Sequence, residues 1–267
     1  MNVKAFETYE APTVTRFGRD GLSVEDVSSF VHQLAAQKAP SSFIWNVEYF
    51  HAVSDRLFSK VNFLRRTGDN ELILQPTEDT LGRSVLQLDS NGRSRYWELE
   101  LTTRLLTGPH EMNFSYVHSK SQGDLNVFDE FYGNYRNPVI RPNQFSLAAY
   151  DTGHQFLFRG LFVVQSWNIS PVIEFREGFP YSQRDEDLQY VGARNRAGRF
   201  PNVWVLDLDI QRPIQIGPLN TRVGVRMFHL FERDFPRDVQ QNIGSPSFGQ
   251  FSNFIERSIG LTFRIES

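Results

Sequence analysis

"SRYWELELTTRLLTGPHEMNFSYVHSKS", residues 94–121, alternates apolar and polar on both sides of a tight turn. Trp97, Leu99, Leu101, Thr103 and Leu105 share one parity; Tyr96, Glu98, Glu100, Thr102 and Arg104 share the other. After Thr107-Gly108-Pro109 the alternation resumes, with Met112, Phe114 and Tyr116 against Glu111, Asn113 and Ser115. A period of two over this length predicts a long antiparallel hairpin with one apolar and one wet face. In a soluble barrel the apolar face is the core. In a membrane barrel it meets lipid, and the wet face lines a lumen.

Composition narrows the choice. A chain of 267 residues has room for one large β domain or two smaller ones. Its net charge of -3 and pI near 6.1 argue against a nucleic-acid partner, which would need a basic surface. With no cysteine there are no disulfides and no thiolate metal sites. No run approaches the ~20 apolar residues of a membrane helix, and the mean hydropathy of -0.41 is polar. A β-barrel remains open, because half of each of its strands is polar. Aromatics make up 14% of the chain, with 24 Phe among them, more than an ordinary soluble core needs. The start, "MNVKAFETYEAPTV", lacks the apolar stretch of a secretory signal, so the expectation is a cytoplasmic protein or a portion of a longer exported one.

Residues 1–40 are expected to hold a strand around Phe6–Phe17 and a short amphipathic helix. Ser23 stands as its N-cap, and Val24, Val27, Phe30, Val31 and Leu34 recur at helical spacing. From 41 to 267 the period is two. Strands are expected at 43–49, 56–66, 95–106, 110–119, 154–164, 167–178, 202–213, 221–231 and 255–266, nine in all or ten with the first segment. No helical pattern separates them, so the sheet is antiparallel. The connections 51–55, 107–109, 165–166 and 214–219 are short. Those at 67–94, 120–153, 179–201 and 232–254 are long and polar, and the two kinds alternate. The segment 67–94 is expected to carry its own hairpin, with "DSNGR" as the turn. Short turns on one rim and long loops on the other is the outer-membrane arrangement. Bulky apolar sets in strand after strand exceed what a small barrel interior accommodates. Aromatics recur near strand ends (Trp45, Tyr49, Trp97, Tyr116, Trp167, Phe175, Trp204, Phe231), as interfacial girdles would.

On the wet parity, Glu98, Glu100, Arg104, Asp207, Asp209, Arg222 and Arg226 are the candidate lumen residues. Rings of both signs guide a charged solute; the same residues also suit cross-strand pairs that brace the wall. No catalytic arrangement and no cofactor site stands out. The histidines at 32, 51, 110, 118, 154 and 229 are scattered, and the acidic stretches 123–134 and 185–190 lack calcium-loop spacing and read as solvated loops.

Five stretches, in order over roughly residues 42–266, resemble the C-terminal barrel portion of TonB-dependent outer-membrane receptors, nearest the Oar-like type with an N-terminal carboxypeptidase-regulatory-like domain. They are "GRSRYWELELTTRLLTGPHEMNFSYVHSKS", "GHQFLFRGLFVV", "WNISPVIEFREGFPYS", "VGARNRAGRFPNVWVLDLDIQRP" and "VRMFHLFERDF". Three departures stand out. Val117-His118 replaces the usual middle of the first motif, His229 and Glu232 occupy Asn positions of the last, and the chain ends in "FRIES" without a terminal aromatic. The resemblance implies an all-β transmembrane barrel segment of about ten meandering strands within a barrel of about 22. It also implies a bacterial outer-membrane location, lipid around the wall, a plug and further barrel from the same parent chain, and energy through the TonB complex for uptake of a nutrient. No plug, TonB box or signal peptide is visible, so the chain is expected to be a fragment and not an enzyme. Two other readings fit the alternation: a stand-alone ten-strand outer-membrane pore, and a soluble β-barrel or sandwich binding carbohydrate or lipid.

Overall fold

The computed structural model describes residues 13–17, 23–28, 31–78, 80, 84–124, 143–186, 188–231 and 235–266. The described elements are all strands: β1 (Thr13–Phe17), β2 (Ser23–Ser28), β3 (Val31–Leu34), β4 (Ser41–Ser54), β5 (Leu57–Glu78), β6 (Ser84–Thr107), β7 (His110–Gly123), β8 (Ser146–Leu147), β9 (His154–Val164), β10 (Trp167–Arg176), β11 (Pro180–Tyr181), β12 (Gly198–Arg199), β13 (Val203–Ile216), β14 (Leu219–Phe228), β15 (Pro236–Val239), β16 (Phe251–Phe254) and β17 (Ser258–Glu266). The wall is one meandering antiparallel sheet in the order β17-β14-β13-β10-β9-β7-β6-β5-β4. Two short strands extend it, β3 beside β6 and β8 beside β7. Its end strands, β4 and β17, do not pair with each other among the described residues.

Three expectations need correction. Among the described residues the helix expected from Ser23 is absent: Ser23–Ser28 pairs antiparallel with Thr13–Phe17, and Val31–Leu34 pairs in parallel with Val85–Leu88. A short apolar run with β-branched residues fits either period, and here neighbouring backbone supplies the hydrogen bonds that decide for strand. The first segment does not enter the wall as a tenth strand, because β1 and β2 form a separate two-stranded sheet; residues 1–12 lie outside the described residues. "DSNGR" is not a turn. The β5–β6 hairpin runs on past it, and the stretch sits at a bulge where Glu71 faces Gly92 and Ile73 faces Asp89. Asn70 takes a left-handed φ of 56° there, and a Cβ on Gly92 would stand 2.8 Å from the Glu71 carbonyl oxygen. Glycine is therefore what the bulge requires.

The wall turns are two residues long: Asp55-Arg56, Gly108-Pro109, Gln165-Ser166 and Gly217-Pro218. Gly108, Gln165 and Gly217 have φ of 57°, 56° and 57°, the positive value that the first residue of a type II′ hairpin turn takes.

One row of directly opposed residues crosses seven strands of the wall: Tyr49, Val61, Leu101, Tyr116, Phe156, Phe175, Trp204. All lie on one face. Tyr49 is 63% exposed, Leu101 45% and Trp204 45%, and on the edge strand Leu261 is 88% exposed. An apolar face of this extent is not left open to water. The buried apolar core lies elsewhere, at the long-loop end. There Leu74 and Leu88, both 0% exposed, oppose each other beside Ile73 and Val85.

Candidate functional site: the polar face and its mouth

Register places all the candidate lumen residues on the opposite, polar face. Arg104 faces Asn113, Asn113 faces Arg159, Arg159 faces Val172, and Val172 faces Asp207. Glu98 and Glu100 share that face by alternation along β6 and stand opposite Ser119 and Val117. Asp209 faces Arg226, and Arg222 faces Pro213. They are spread over three strands, β6, β13 and β14, and do not converge on one point.

Several are engaged with neighbours. Arg226 donates through Nη2 and Nε to Asp209 Oδ2 at 2.7 and 2.9 Å. Arg104 Nε donates to Glu111 Oε1 at 2.9 Å. Glu100 lies 3.4 Å from Lys60 Nζ, which also reaches Glu48 at 3.5 Å. The Tyr96 hydroxyl donates to Glu98 at 2.5 Å, and the His229 amide donates to Asp207 at 2.9 Å. Cross-strand pairing of this kind stiffens a sheet. Lys60 and Arg159 belong to the same face but were not singled out from sequence; their parity within 56–66 and 154–164 was the available signal.

At the long-loop end the polar face opens into a cavity of about 1450 Å³, lined by Tyr96, Glu98, Arg176, Phe179, Arg184 and Arg194 among others. Arg176 stacks over Phe179 with its guanidinium 4.4 Å from the ring centre. A buried polar network holds this mouth. Asp151, 2% exposed, accepts from the Ser121 amide at 2.6 Å and from Arg199 Nη2 at 2.5 Å. Arg199 also donates to the carbonyls of Asp151 and Gly178 at 2.9 and 3.0 Å. Arg194 donates to the Gln144 carbonyl at 3.0 Å and to the Gly123 carbonyl, and Asn195 Nδ2 donates to the Leu147 carbonyl at 2.8 Å. Burial pulls the Arg194 guanidinium below its ordinary value, and Tyr190 and Asp124 oppose that shift.

Within the acidic stretch 185–190, Asp185 accepts from the Gln189 amide at 2.7 Å, closing a local turn. Of the stretch 123–134, only Gly123 and Asp124 fall within the described residues.

No protein-family model matches the chain, and no curated protein matches it by sequence. Solved structures do. The outer membrane transporter YddB from Escherichia coli is similar over 90% of this chain and 34% of its own, at a TM-score of 0.58 and 12% identity. The FrpB iron transporter from Neisseria meningitidis is similar over 88% of this chain and 32% of its own, at 0.56 and 13%. The ferric citrate transporter FecA is similar over 83% and 30%, at 0.52 and 12%. The chain thus has the fold of an outer-membrane transporter barrel wall, and it spans about a third of the length of the structures it resembles.

Proposed function

We propose that this chain forms part of the barrel wall of a TonB-dependent receptor of the Oar-like type, seated in the bacterial outer membrane and taking up a nutrient. The observation that carries the reading is the two-faced sheet: an exposed apolar row crossing seven strands, backed by a polar, ion-paired face. Such a sheet is stable with lipid on one side and a wet lumen on the other. Residues 41–267 supply the wall, and residues 1–40 lead into it. Open edges are not tolerated in lipid, so further strands complete the barrel between β4 and β17. A closed ten-strand pore would instead need those two strands paired. A plug from the same parent chain packs against the polar face, and the TonB complex acts through it. Glu98, Glu100, Arg104, Asp207, Asp209, Arg222 and Arg226 brace the wall and line the solute path.

The test is phase partitioning of the refolded chain. It should follow the detergent phase and give a β-rich circular dichroism spectrum there. A folded monomer in the aqueous phase would reject the membrane reading in favour of a soluble binding module.

A further inference from the structure

A second cavity, of about 590 Å³, opens on the polar face in the short-turn half of the wall. Two adjacent rows of the sheet form its floor. One runs Phe58, Arg104, Asn113, Arg159 in direct register, and the next runs Phe50, Lys60, Thr102, Ser115, Leu157. Arg104 lies six residues along β6 from Glu98 at the mouth, roughly 20 Å at ~3.4 Å per residue, so the two cavities are separate. The ends of the second one differ in chemistry. At one end the Phe50 and Phe58 rings lie nearly parallel at 17°, centroids 6.3 Å apart, and Phe50 is 60% exposed. At the other end Arg159 is exposed and has no carboxylate partner among the described residues. The acids around it are already held. Glu111 accepts from Arg104 and Asn113 at 2.9 and 3.0 Å, Glu174 lies 3.7 Å from Arg176, and Glu100 lies 3.4 Å from Lys60. The polar-face neighbours of Arg159 are Asn113, Val172, Leu157 and Leu161, all uncharged. Bracing of the wall accounts for neither the free guanidinium nor the exposed rings.

We propose that this cavity is a lumenal binding site for a small aryl carboxylate, with the carboxylate on Arg159 and the ring against the Phe50–Phe58 pair. The inference rests on the membrane reading above, which makes this face the lumen and the short-turn half its inner end. A guanidinium with no acid beside it donates a forked pair of hydrogen bonds to a carboxylate, a geometry that a neutral amide does not match. Two near-parallel exposed rings take a third aromatic ring in an offset stack. Phe58 and Arg159 stand three strands apart in one row, roughly 14 Å between backbones at ~4.8 Å per strand. Once the two side chains have reached inward, that span suits one ring and a short acid chain rather than an oligomer. The cavity volume of about 590 Å³ lies within the roughly 300–1,000 Å³ of small-molecule sites.

The experiment titrates the chain, refolded in neutral detergent micelles, with 3-phenylpropanoate, its neutral amide and 3-cyclohexylpropanoate, by calorimetry against blank micelles. 3-Phenylpropanoate should bind at least tenfold more tightly than the amide and at least threefold more tightly than the cyclohexyl acid. Arg159→Gln should abolish the preference for acid over amide, and Arg159→Lys, which keeps the charge without the fork, should weaken it at least threefold. Phe50→Leu combined with Phe58→Leu should abolish the preference for phenyl over cyclohexyl. Arg212→Gln, which removes a cation stacked on Trp167 at the outward face, should keep both preferences. Equal affinities for acid and amide, or for the two acids, overturn the assignment and leave the membrane reading standing. So does a preference that survives Arg159→Gln, or no heat beyond blank micelles for any of the three. Tighter binding of N-acetyl-Phe-Asp-amide than of 3-phenylpropanoate would give the cavity to an acidic segment of the plug and overturn the solute site too. A chain that folds only as a detergent-free soluble monomer overturns both readings.

Discussion

Arg199 Nη2 donates to Asp151 Oδ2 at 2.5 Å, joining the segment that enters β9 to the short strand β12. Asp151 is 2% exposed and Arg199 also holds two backbone carbonyls, so the pair clamps two long connections together over the mouth of the cavity. Arg199→Met leaves the Asp151 carboxylate buried with its counter-ion gone, which should cost roughly 3 kcal/mol. Urea unfolding of the assembled barrel reads this. Arg199→Lys should recover only part of it, since an ammonium does not reproduce the forked geometry. A loss below about 0.5 kcal/mol for Arg199→Met would show that water already serves the carboxylate.

The facing of the wall is tested on β13. Leu206 opposes Ile173 on the apolar face, and Asp207 opposes Val172 on the polar one. Leu206→Arg near mid-membrane should cost roughly 2–4 kcal/mol. Asp207→Arg should cost less, the main loss being the hydrogen bond it accepts from the His229 amide. Equal costs, or the reverse order, would turn the sheet inside out.

Much of the wall was legible in the sequence because a strand paired on both edges needs only alternation, which residues 94–121 and 202–213 display openly. The nine wall strands and their short turns follow from it. The parity of Glu98, Asp207 and Arg226 likewise came from alternation, and register puts them on one face. What alternation does not carry was missed. The strand at Ser23–Ser28 owes its form to its pairing with Thr13–Phe17, a partner that spacing alone does not reveal. The bulge at Gly92 looked like a turn because glycine and asparagine serve both. Asp151 and Arg199 are 48 residues apart and joined only by tertiary approach, so nothing local marked them as a pair.

Wall bracing by the polar face makes a quantitative claim at Asp209 and Arg226. The pair is half open to solvent, with side-chain exposures of 21% and 42%, so screening keeps its worth small. A double-mutant cycle with Asp209→Asn and Arg226→Gln should give a coupling of about 0.5–1 kcal/mol in barrel unfolding. A coupling of zero would remove these two residues from the bracing role.

Orientation can be read with single cysteines, since the chain has none of its own. Val191→Cys and Pro246→Cys sit in long connections and Pro109→Cys and Pro218→Cys in short turns, all at exposed positions. In intact cells carrying the assembled outer-membrane protein, an impermeant maleimide should label the first two. It should reach the turns only after the outer membrane is opened. Labelling of the turns from outside would reverse the orientation.

Two glycines at the mouth separate steric from conformational demand. A Cβ on Gly178 would sit 1.8 Å from the Phe200 carbonyl oxygen, where the Phe200 amide donates back to the Phe179 carbonyl at 2.9 Å. The contact is backbone against backbone, so no side-chain rotation relieves it. Gly192 has open space around it but a φ of 84°. Gly178→Ala should therefore cost about 1–3 kcal/mol through forced backbone displacement, and Gly178→Asn should be no better. Gly192→Ala should cost about 1 kcal/mol for the left-handed backbone, and Gly192→Asn should recover most of that, because asparagine visits this region readily. Unfolding of the four variants in detergent gives the ranking. An asparagine that rescues position 178 as well as 192 would mean the β10–β12 approach is looser than the 2.9 Å hydrogen bond between Phe200 and Phe179 requires.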